Sequence, residues 1–410
     1  MRQDATAPAR DLGVYVQVPF CQAKCTYCNF STGVFPRKNF RPYVASVCRE
    51  IGEHASLYRA EGLAAWQQEP PPFAADTVYV GGGTPSLLEP EDLGAILEAV
   101  RSAFGGAATE VTLEADPETV TEEKAGAWRE AGFNRISLGA QSFADPELAG
   151  VGRRHRRADI FAAARHLSAA GLGNISFDLI AGLPGQTADS WSGSLDELLS
   201  LVPAHISIYL LEIDEGSRLG REALAGGRRY GAPALPDDDA AAEYYDLACA
   251  RLLDRGYEHY EISNWALPGF RSRHNRKYWR REPYLGFGAG AHSFDGVERW
   301  ANTHDPAVYV AAIGERRLAL DERGRVSKVQ ALEEELFLGL RMLDGIDLGE
   351  VERRYGVDLS DRVRSLAEEG LVEWTGTTLR LAPARLTVSN EVLVRLLPGE
   401  EMPGTSRATV

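Results

Sequence analysis

The sequence predicts an α/β fold around a parallel β-sheet, because strand-like apolar runs alternate with helix-like stretches from about residue 14 to residue 211. Parallel neighbours need a crossover between them, and a helical segment supplies it. The predicted strands are residues 14–18, 77–80, 111–113, 135–138, 175–180 and 206–211.

Amphipathic segments between these strands predict helices that face the sheet. Eight strand–helix units would close a complete barrel, so six units predict an open one. In such sheets, ligand-binding groups collect at the carboxyl ends of the strands. The clearest helical segments are residues 93–104, 122–131, 159–170 and 189–201.

Three cysteines, Cys21, Cys25 and Cys28, follow the first predicted strand directly. Thiolates at this spacing can bind one soft metal centre if their loop wraps around it. Unpaired thiols in an ordinary loop are the simplest alternative, and a disulfide with one spare thiol is disfavoured because no secretory signature precedes it. Structural zinc needs four ligands, and no second Cys or Cys/His pair lies nearby. An iron–sulfur cluster held by three cysteines would leave one iron open to another ligand.

The C-x3-C-x2-C spacing, with Tyr27 before the third cysteine, resembles the signature of the radical S-adenosylmethionine (SAM) superfamily. The resemblance implies a partial (β/α)6 barrel and a 4Fe-4S cluster on Cys21, Cys25 and Cys28. In that superfamily the amino and carboxylate groups of SAM chelate the open iron. An electron from the cluster then splits the sulfonium and yields a 5′-deoxyadenosyl radical.

Glycines and polar residues at later strand ends also match this superfamily. Three glycines before Thr84-Pro85 let the backbone approach a ligand, and no Gly-Lys-Ser/Thr follows to make a phosphate-binding Walker loop. A polar residue at one strand end is more often structural, but four above one cysteine loop favour a site. The resemblance implies SAM-site residues Tyr15, Tyr27, Gly82, Gly83, Thr84, Glu114, Gln141, Arg153 and Asp178.

The segment from Arg271 to Arg281 is strongly cationic in an otherwise acidic chain. One interpretation is a solvated loop with a buried aromatic pair. The other is a site for a flat dianionic ligand, in which His274 is an axial ligand to iron, Tyr278 and Trp279 supply apolar faces, and arginines bind propionates. The segment follows a predicted loop at residues 226–239, a helix at 240–255 and a strand at 257–264.

The run His274-Asn275-Arg276-Lys277-Tyr278-Trp279 resembles the HNxxYW haem-binding motif of the HemW family of radical SAM haem chaperones. That resemblance extends from about residue 14 to about residue 397. It implies haem contacts from His274, Asn275, Tyr278 and Trp279, with His274 on the iron. It also implies delivery of haem to proteins that require it, respiratory enzymes among them, and an electron donor such as flavodoxin or ferredoxin.

Two other functions remain open at this point. The related oxygen-independent coproporphyrinogen III oxidases, the HemN type, share the barrel and use SAM to decarboxylate propionates. Their loop carries a fourth cysteine where this chain has Phe30, and they lack the HNxxYW run. The third function is a winged-helix regulator with a redox cluster, which the SAM-site residues and the acidic charge oppose. Whether SAM is cleaved here is left undecided.

The C-terminal part predicts a small domain of a different kind. Helices at residues 332–343, 348–355 and 359–369 precede a hairpin, as in a winged-helix fold, and a packing or lid role is expected. The predicted organisation is a disordered tail (1–12), a barrel (13–235), an extension with the haem motif (236–325), the winged-helix-like domain (326–397) and a second disordered tail (398–410).

Charge and cysteine content predict the protein's surroundings. A formal net charge of -15 argues against nucleic-acid binding. Residues 1–10 lack an apolar signal core, and no apolar run approaches the roughly 20 residues of a membrane span. With few cysteines and an oxygen-sensitive cluster, the cytoplasm is expected. Transient membrane association and a homodimer are further expectations, because the cluster could serve assembly.

Overall fold

A computed structural model describes residues 10–67, 73–106 and 108–397, and the six predicted strands form the middle of its main sheet. They lie side by side in chain order, and each pairs in parallel with the next. The predicted α/β class is therefore confirmed. The strands are β1 (Arg10–Val18), β2 (Phe73–Gly82), β3 (Glu110–Ala115), β4 (Arg135–Gln141), β5 (Ile175–Ala181) and β6 (His205–Leu210).

The first strand begins earlier than predicted. Residues 10–12 were expected to belong to a disordered tail, but they pair with residues 73–75 of β2. The side chain of Leu12 is fully buried, and the guanidinium of Arg10 lies over the ring of Phe73. Burial and pairing with a distant strand therefore order this segment. The remaining residues of the two predicted tails, 1–9 and 398–410, lie outside the described residues.

Helices connect the strands and cover the sheet. The longest described helix, α1, has no counterpart among the predicted segments, because Ser46 and Glu50 interrupt its buried face. The others match the predicted helices closely or are short. These helices are α1 (Phe40–Glu61), α2 (Pro90–Phe104), α3 (Glu122–Ala131), α4 (Asp145–Gly150), α5 (Arg157–Ala169) and α6 (Ala188–Ser200).

The predicted extension does not form a separate layer, because its strands join both edges of the same sheet. One pair lies antiparallel beside β6, and a second group adds to β1, beginning with a parallel strand. The cationic segment is a short helix, α9, rather than a loop. In order the elements are α7 (Arg218–Leu224), α8 (Asp238–Asp254), β7 (Glu258–Glu261), β8 (Asn264–Ala266), α9 (Arg273–Trp279), β9 (Tyr284–Phe287), β10 (His292–Phe294), β11 (Glu298–Asn302), α10 (Pro306–Gly314) and β12 (Leu320–Arg325).

The C-terminal region contains the predicted helices followed by a hairpin. A third short strand pairs with the hairpin, and a last helix follows it. Leu336, Val363 and Leu379 are buried in this part of the core. The elements are α11 (Lys328–Gly339), β13 (Ile346–Asp347), α12 (Leu348–Tyr355), α13 (Ser360–Glu368), β14 (Val372–Thr375), β15 (Thr378–Leu381) and α14 (Ser389–Leu396). Among the described helices, none combines the length and the apolar character needed to span a membrane.

Glu50 of α1 ties the outer strands to the barrel. Its buried carboxylate accepts hydrogen bonds from Gly288 N (2.9 Å), Asn302 Nδ2 (2.8 Å) and Tyr309 OH (2.5 Å). Burial nevertheless raises its pKa from 4.5 to about 7. The folded protein therefore holds a proton that the unfolded chain releases between these pH values, so the free energy of unfolding decreases as pH rises through this window.

Glu50→Gln is expected to remove this part of the pH dependence. The ionisation of Glu50 costs the folded state about 3 kcal/mol between pH 4.5 and pH 7. Denaturant unfolding at several pH values should therefore give a flatter profile for the variant than for the original chain. Glu98→Gln, at an exposed position on α2, is the matched control and should leave the profile unchanged. The prediction would be contradicted if the free energy of unfolding of Glu50→Gln depended on pH as steeply as that of the original chain.

Candidate cluster and ligand sites

The cysteine loop lies at the carboxyl end of β1, where the sequence predicts it. Backbone hydrogen bonds close it, since Cys21 N donates to Gly33 O and Gly33 N donates to Pro19 O, both at 2.9 Å. Lys24 Nζ also donates to carbonyls of the loop. All three thiols are half-buried, and none is in a disulfide. The loop thus presents free sulfur ligands next to the strand ends.

The glycine-rich turn after β2 packs directly on this loop. Gly83 N donates to Val18 O (2.8 Å), and Thr84 N donates to Phe20 O (2.7 Å). A Cβ atom at Gly83 would lie 2.6 Å from Phe20 O and 3.0 Å from Cys21 Sγ. Only glycine fits at this position, so the turn supports the cysteine loop sterically.

The electrostatics of the thiols depend on burial and on Arg153. Burial raises the pKa of Cys21 to about 11. It also raises the pKa of Cys25, and Arg153, whose Nη1 lies 3.7 Å from Cys25 Sγ, partly offsets that rise. Metal binding deprotonates such thiols and releases their protons. A cationic neighbour then offsets the charge of the thiolates.

Asp116 is a site residue that the sequence analysis did not select. Its carboxylate accepts from Arg153 Nη2 at 2.5 Å and from Thr84 Oγ1 at 3.0 Å, so it joins two predicted site residues. Arg153 Nη2 also donates to Gly139 O, and its Nε is buried without a partner. The available signal was a second carboxylate, two positions after Glu114, at the end of the same strand.

Glu114 binds the backbone of the glycine turn at Gly82. Its carboxylate accepts from Gly82 N (2.9 Å) and from Tyr79 OH (2.8 Å), and burial raises its pKa to about 7. A Cβ atom at Gly82 would lie 2.5 Å from the amide of Gln17, which accepts from Tyr15 OH. Gln17 is thus a second site residue that was not predicted. Its position within an apolar strand was the signal.

Of the remaining predicted SAM residues, Gln141 and Asp178 lie on the adjoining strands, and Tyr27 lies in the cysteine loop. Asp178 accepts from Ser137 Oγ (2.9 Å), and burial raises its pKa. Gln141 has a positive φ of 65° at the end of β4, where the pairing of β4 with β5 is irregular. Such backbone strain in a non-glycine residue is typical of functional sites. Tyr27 packs near Ile180, and burial raises its pKa.

These residues fit an iron–sulfur cluster better than a single ion. Within the described part of the chain, no three His, Cys, Asp or Glu side chains converge as ligands of one metal ion. A four-iron cluster takes each thiolate on a different iron, so its ligands need not converge on a point. Three free thiols on one loop, a supporting glycine and a nearby guanidinium meet those requirements.

The HNxxYW residues lie at the opposite, amino-terminal end of the barrel. Glu110 at the start of β3 accepts from the backbone N–H groups of Arg273 and His274, both at 2.9 Å, and docks α9 there. The His274 side chain is 1% exposed, with Nδ1 2.9 Å from Thr77 Oγ1 and Nε2 2.8 Å from Tyr278 OH. Burial lowers its pKa to about 3, so the ring is neutral.

His274 is therefore closed off from solvent, whereas its aromatic neighbours are not. Tyr278 and Trp279 border a cavity of about 510 Å³ between α9, the outer strands and α11. Asn275 is half-buried on the same helix. The expected cationic patch is partly neutralised, because ion pairs engage three of its members. These are Arg271 with Glu258 and Asp344, Lys277 with Asp76 and Glu282, and Arg281 with Glu334.

Residues 15–198 match the family model of the radical SAM superfamily, and residues 326–384 match that of the HemN C-terminal domain. A Mycobacterium tuberculosis protein named "Heme chaperone HemW" is 35% identical over 397 residues, covering 96% of both chains. The chain belongs to the HemW family of radical SAM proteins. A HemW protein of Bacillus subtilis is 32% identical, over 92% of this chain and 97% of the relative.

Other relatives extend the comparison beyond the bacterial HemW proteins. The mouse mitochondrial radical S-adenosyl methionine domain-containing protein 1 is 33% identical, over 94% of this chain and 87% of its own. The solved structure of Escherichia coli coproporphyrinogen III oxidase (HemN), a radical SAM enzyme, superposes with a TM-score of 0.79 at 23% identity, covering 96% of this chain and 92% of that one. At this identity the likeness to HemN shows a shared fold and no more.

Proposed function

We propose that this protein is a haem chaperone that holds a 4Fe-4S cluster and SAM at the carboxyl end of the barrel. It binds haem near α9 and delivers it to proteins that require haem, such as respiratory enzymes. The observation that carries the proposal is that Tyr278 and Trp279 of the HNxxYW run line a cavity of about 510 Å³. Ligand pockets commonly enclose about 300–1,000 Å³ behind largely apolar walls.

The residues at the cysteine loop have distinct roles in this proposal. Cys21, Cys25 and Cys28 would hold the cluster, which would supply the electron for any reductive cleavage of SAM. Asp116 fixes the guanidinium of Arg153 near Cys25, where its charge can bind a carboxylate. Glu114 holds Gly82 N and, like Asp178, offers an acceptor for hydroxyl or amino groups.

The HemN-type activity is the second candidate, and the shared fold alone does not separate the two. Phe30, which stands where the HemN type has its fourth cysteine, is 66% exposed and belongs to the cysteine loop. A phenyl ring cannot replace a thiolate ligand. The intact HNxxYW run and the HemW relatives also favour the chaperone.

A paired assay tests this choice. Anaerobically reconstituted protein is expected to bind ferric haem in a spectroscopic titration and to leave coproporphyrinogen III unchanged when supplied with SAM and reductant. A genuine HemN-type oxidase run in parallel shows that the assay detects conversion. Haem transfer to an apo-haem protein, followed by its absorbance, tests delivery. Conversion of coproporphyrinogen III, or no haem binding at all, would overturn the proposal.

A further inference from the structure

The inner face of the barrel is polar, in contrast to its outer face. Leu113, Ile136 and Phe177 on the outer face are at most 1% exposed and belong to the hydrophobic core. The residues that alternate with them point into the barrel, where Ser137 Oγ donates to Asp178 across two strands at 2.9 Å. This inner set is Thr112 and Glu114 on β3, Arg135 and Ser137 on β4, Ser176 and Asp178 on β5, and His205 and Ser207 on β6.

Two neighbouring members of the inner set have donor groups without an acceptor. Thr112 and Arg135 are register partners on β3 and β4, so their side chains lie side by side on the same face. Thr112 is fully buried, and Arg135 is 2% exposed. Within the described part of the chain, Thr112 Oγ1 and Arg135 Nε have no hydrogen-bond partner, and no carboxylate forms an ion pair with Arg135.

A guanidinium that is buried without a counter-charge destabilises a fold. The carboxylates of Glu114 and Asp178 also face the interior of the barrel, but each accepts hydrogen bonds from other groups. Burial raises the pKa of Asp178, and the charge of Arg135 offsets only part of that rise. Neither carboxylate therefore supplies the acceptor that Arg135 and Thr112 lack.

We propose that the barrel binds a small carboxylate anion between Arg135 and Thr112. The planar fork of a guanidinium matches a carboxylate, and the hydroxyl of Thr112 can donate a further hydrogen bond. A buried water molecule would also accept from both donors, but it would leave the charge of Arg135 uncompensated. The site goes beyond the proposed function, because it involves neither the cysteine loop nor the HNxxYW run.

The anion would enter from the carboxyl end of the barrel. Exposure on the inner face of β6 rises from His205, which is fully buried, to Tyr209, which is 44% exposed. Glu114 and Asp178, two positions further along their strands than Thr112 and Ser176, are half-buried. The other end is closed by α9. The anion would therefore lie at the closed end of the barrel, deeper than the proposed SAM residues.

Urea unfolding of the full chain tests the site, with sodium formate replacing sodium chloride at constant pH and ionic strength. The unfolding midpoint of the original chain should rise with formate and saturate, because only the folded chain has the site. For the same rise, Arg135→Gln should need at least about tenfold more formate, and Thr112→Val about two- to tenfold more. Arg129→Gln, at an exposed position on α3, is the control and should respond as the original chain does.

Two results would overturn the proposal. One is an original chain whose midpoint does not rise as formate replaces chloride. The other is an equal rise in Arg135→Gln and the original chain, which would give Arg135 a structural role only. If Arg135→Gln does not fold, Thr112→Val still decides, because it exchanges a hydroxyl for a methyl group of similar size. The experiment contains neither haem nor SAM, so its failure would leave the proposed function untouched.

Discussion

Replacing Cys21, Cys25 and Cys28 together by alanine is expected to leave a folded protein without a cluster. The three thiols lie on one loop after β1 and are the protein's proposed ligands, so their removal leaves the irons unattached. The loop is closed by backbone hydrogen bonds at Cys21 and Gly33, which alanine preserves. Anaerobic reconstitution followed by iron and sulfide analysis should therefore fall from about four of each to background.

The chain supplies matched controls for this experiment. Cys48 on α1 and Cys249 on α8 are also half-buried free thiols, and burial raises the pKa of each above its usual value. Alanine at these two positions removes thiols without touching the loop, so the iron and sulfide content should stay unchanged. Circular dichroism should show equal helix content in all variants. Retention of cluster absorbance in the triple variant would refute the ligand assignment.

Gly83→Ala is expected to have a similarly large effect through sterics alone. The added Cβ would lie 2.6 Å from the carbonyl oxygen of Phe20, a backbone atom that cannot turn aside as a side chain can. Either the glycine turn or the cysteine loop must then move, and Cys21 Sγ lies only 3.0 Å from the same Cβ. Reconstituted protein should lose most of its cluster absorbance, with a stability cost of about 1–3 kcal/mol.

Gly94→Ala on α2 is the control for this glycine. Among the described residues, nothing lies within 4 Å of a Cβ built there, and alanine in a helix is favoured over glycine by about 0.5–1 kcal/mol. This variant should keep the full cluster content and unfold at an equal or higher denaturant concentration. Full cluster content in Gly83→Ala would contradict the prediction. It would mean that the glycine turn can move away from the cysteine loop without loss of the cluster.

The structure also alters the predicted role of the cationic segment. In the sequence it presents six positive side chains around an aromatic pair, which suggests an open anion site. In the fold, α9 fills the amino-terminal end of the barrel, where Glu110 docks it and carboxylates from other elements partly neutralise the segment. Asp76, Glu110 and Glu334 are distant in sequence, so no local pattern could reveal them as partners. Tyr278 and Trp279 remain available to a ligand, whereas His274 does not.

The packing of the extension is a second feature that a local sequence pattern could not reveal. The sequence predicts an extension with the haem motif at residues 236–325 but does not indicate where it packs. Yet β8 pairs with β6, and β9 pairs with β1, so the extension continues the sheet at both edges. Pairing between strands this far apart in sequence depends on backbone hydrogen bonding, which composition does not encode. Asp116 escaped prediction similarly, because its partners Arg153 and Thr84 lie on other segments of the chain.

The sequence by itself determined the α/β class, the positions of the six central strands, the cysteine loop and the resemblance to the radical SAM superfamily. These features depend on spacing and periodicity along the chain, which persist whatever the chain packs against. Only the tertiary structure decided that Asp116 joins Arg153 to Thr84, and that Tyr278 rather than His274 faces a cavity. These contacts join residues that are far apart in sequence. Burial and hydrogen bonding in the folded chain therefore decide which side chain a ligand can reach.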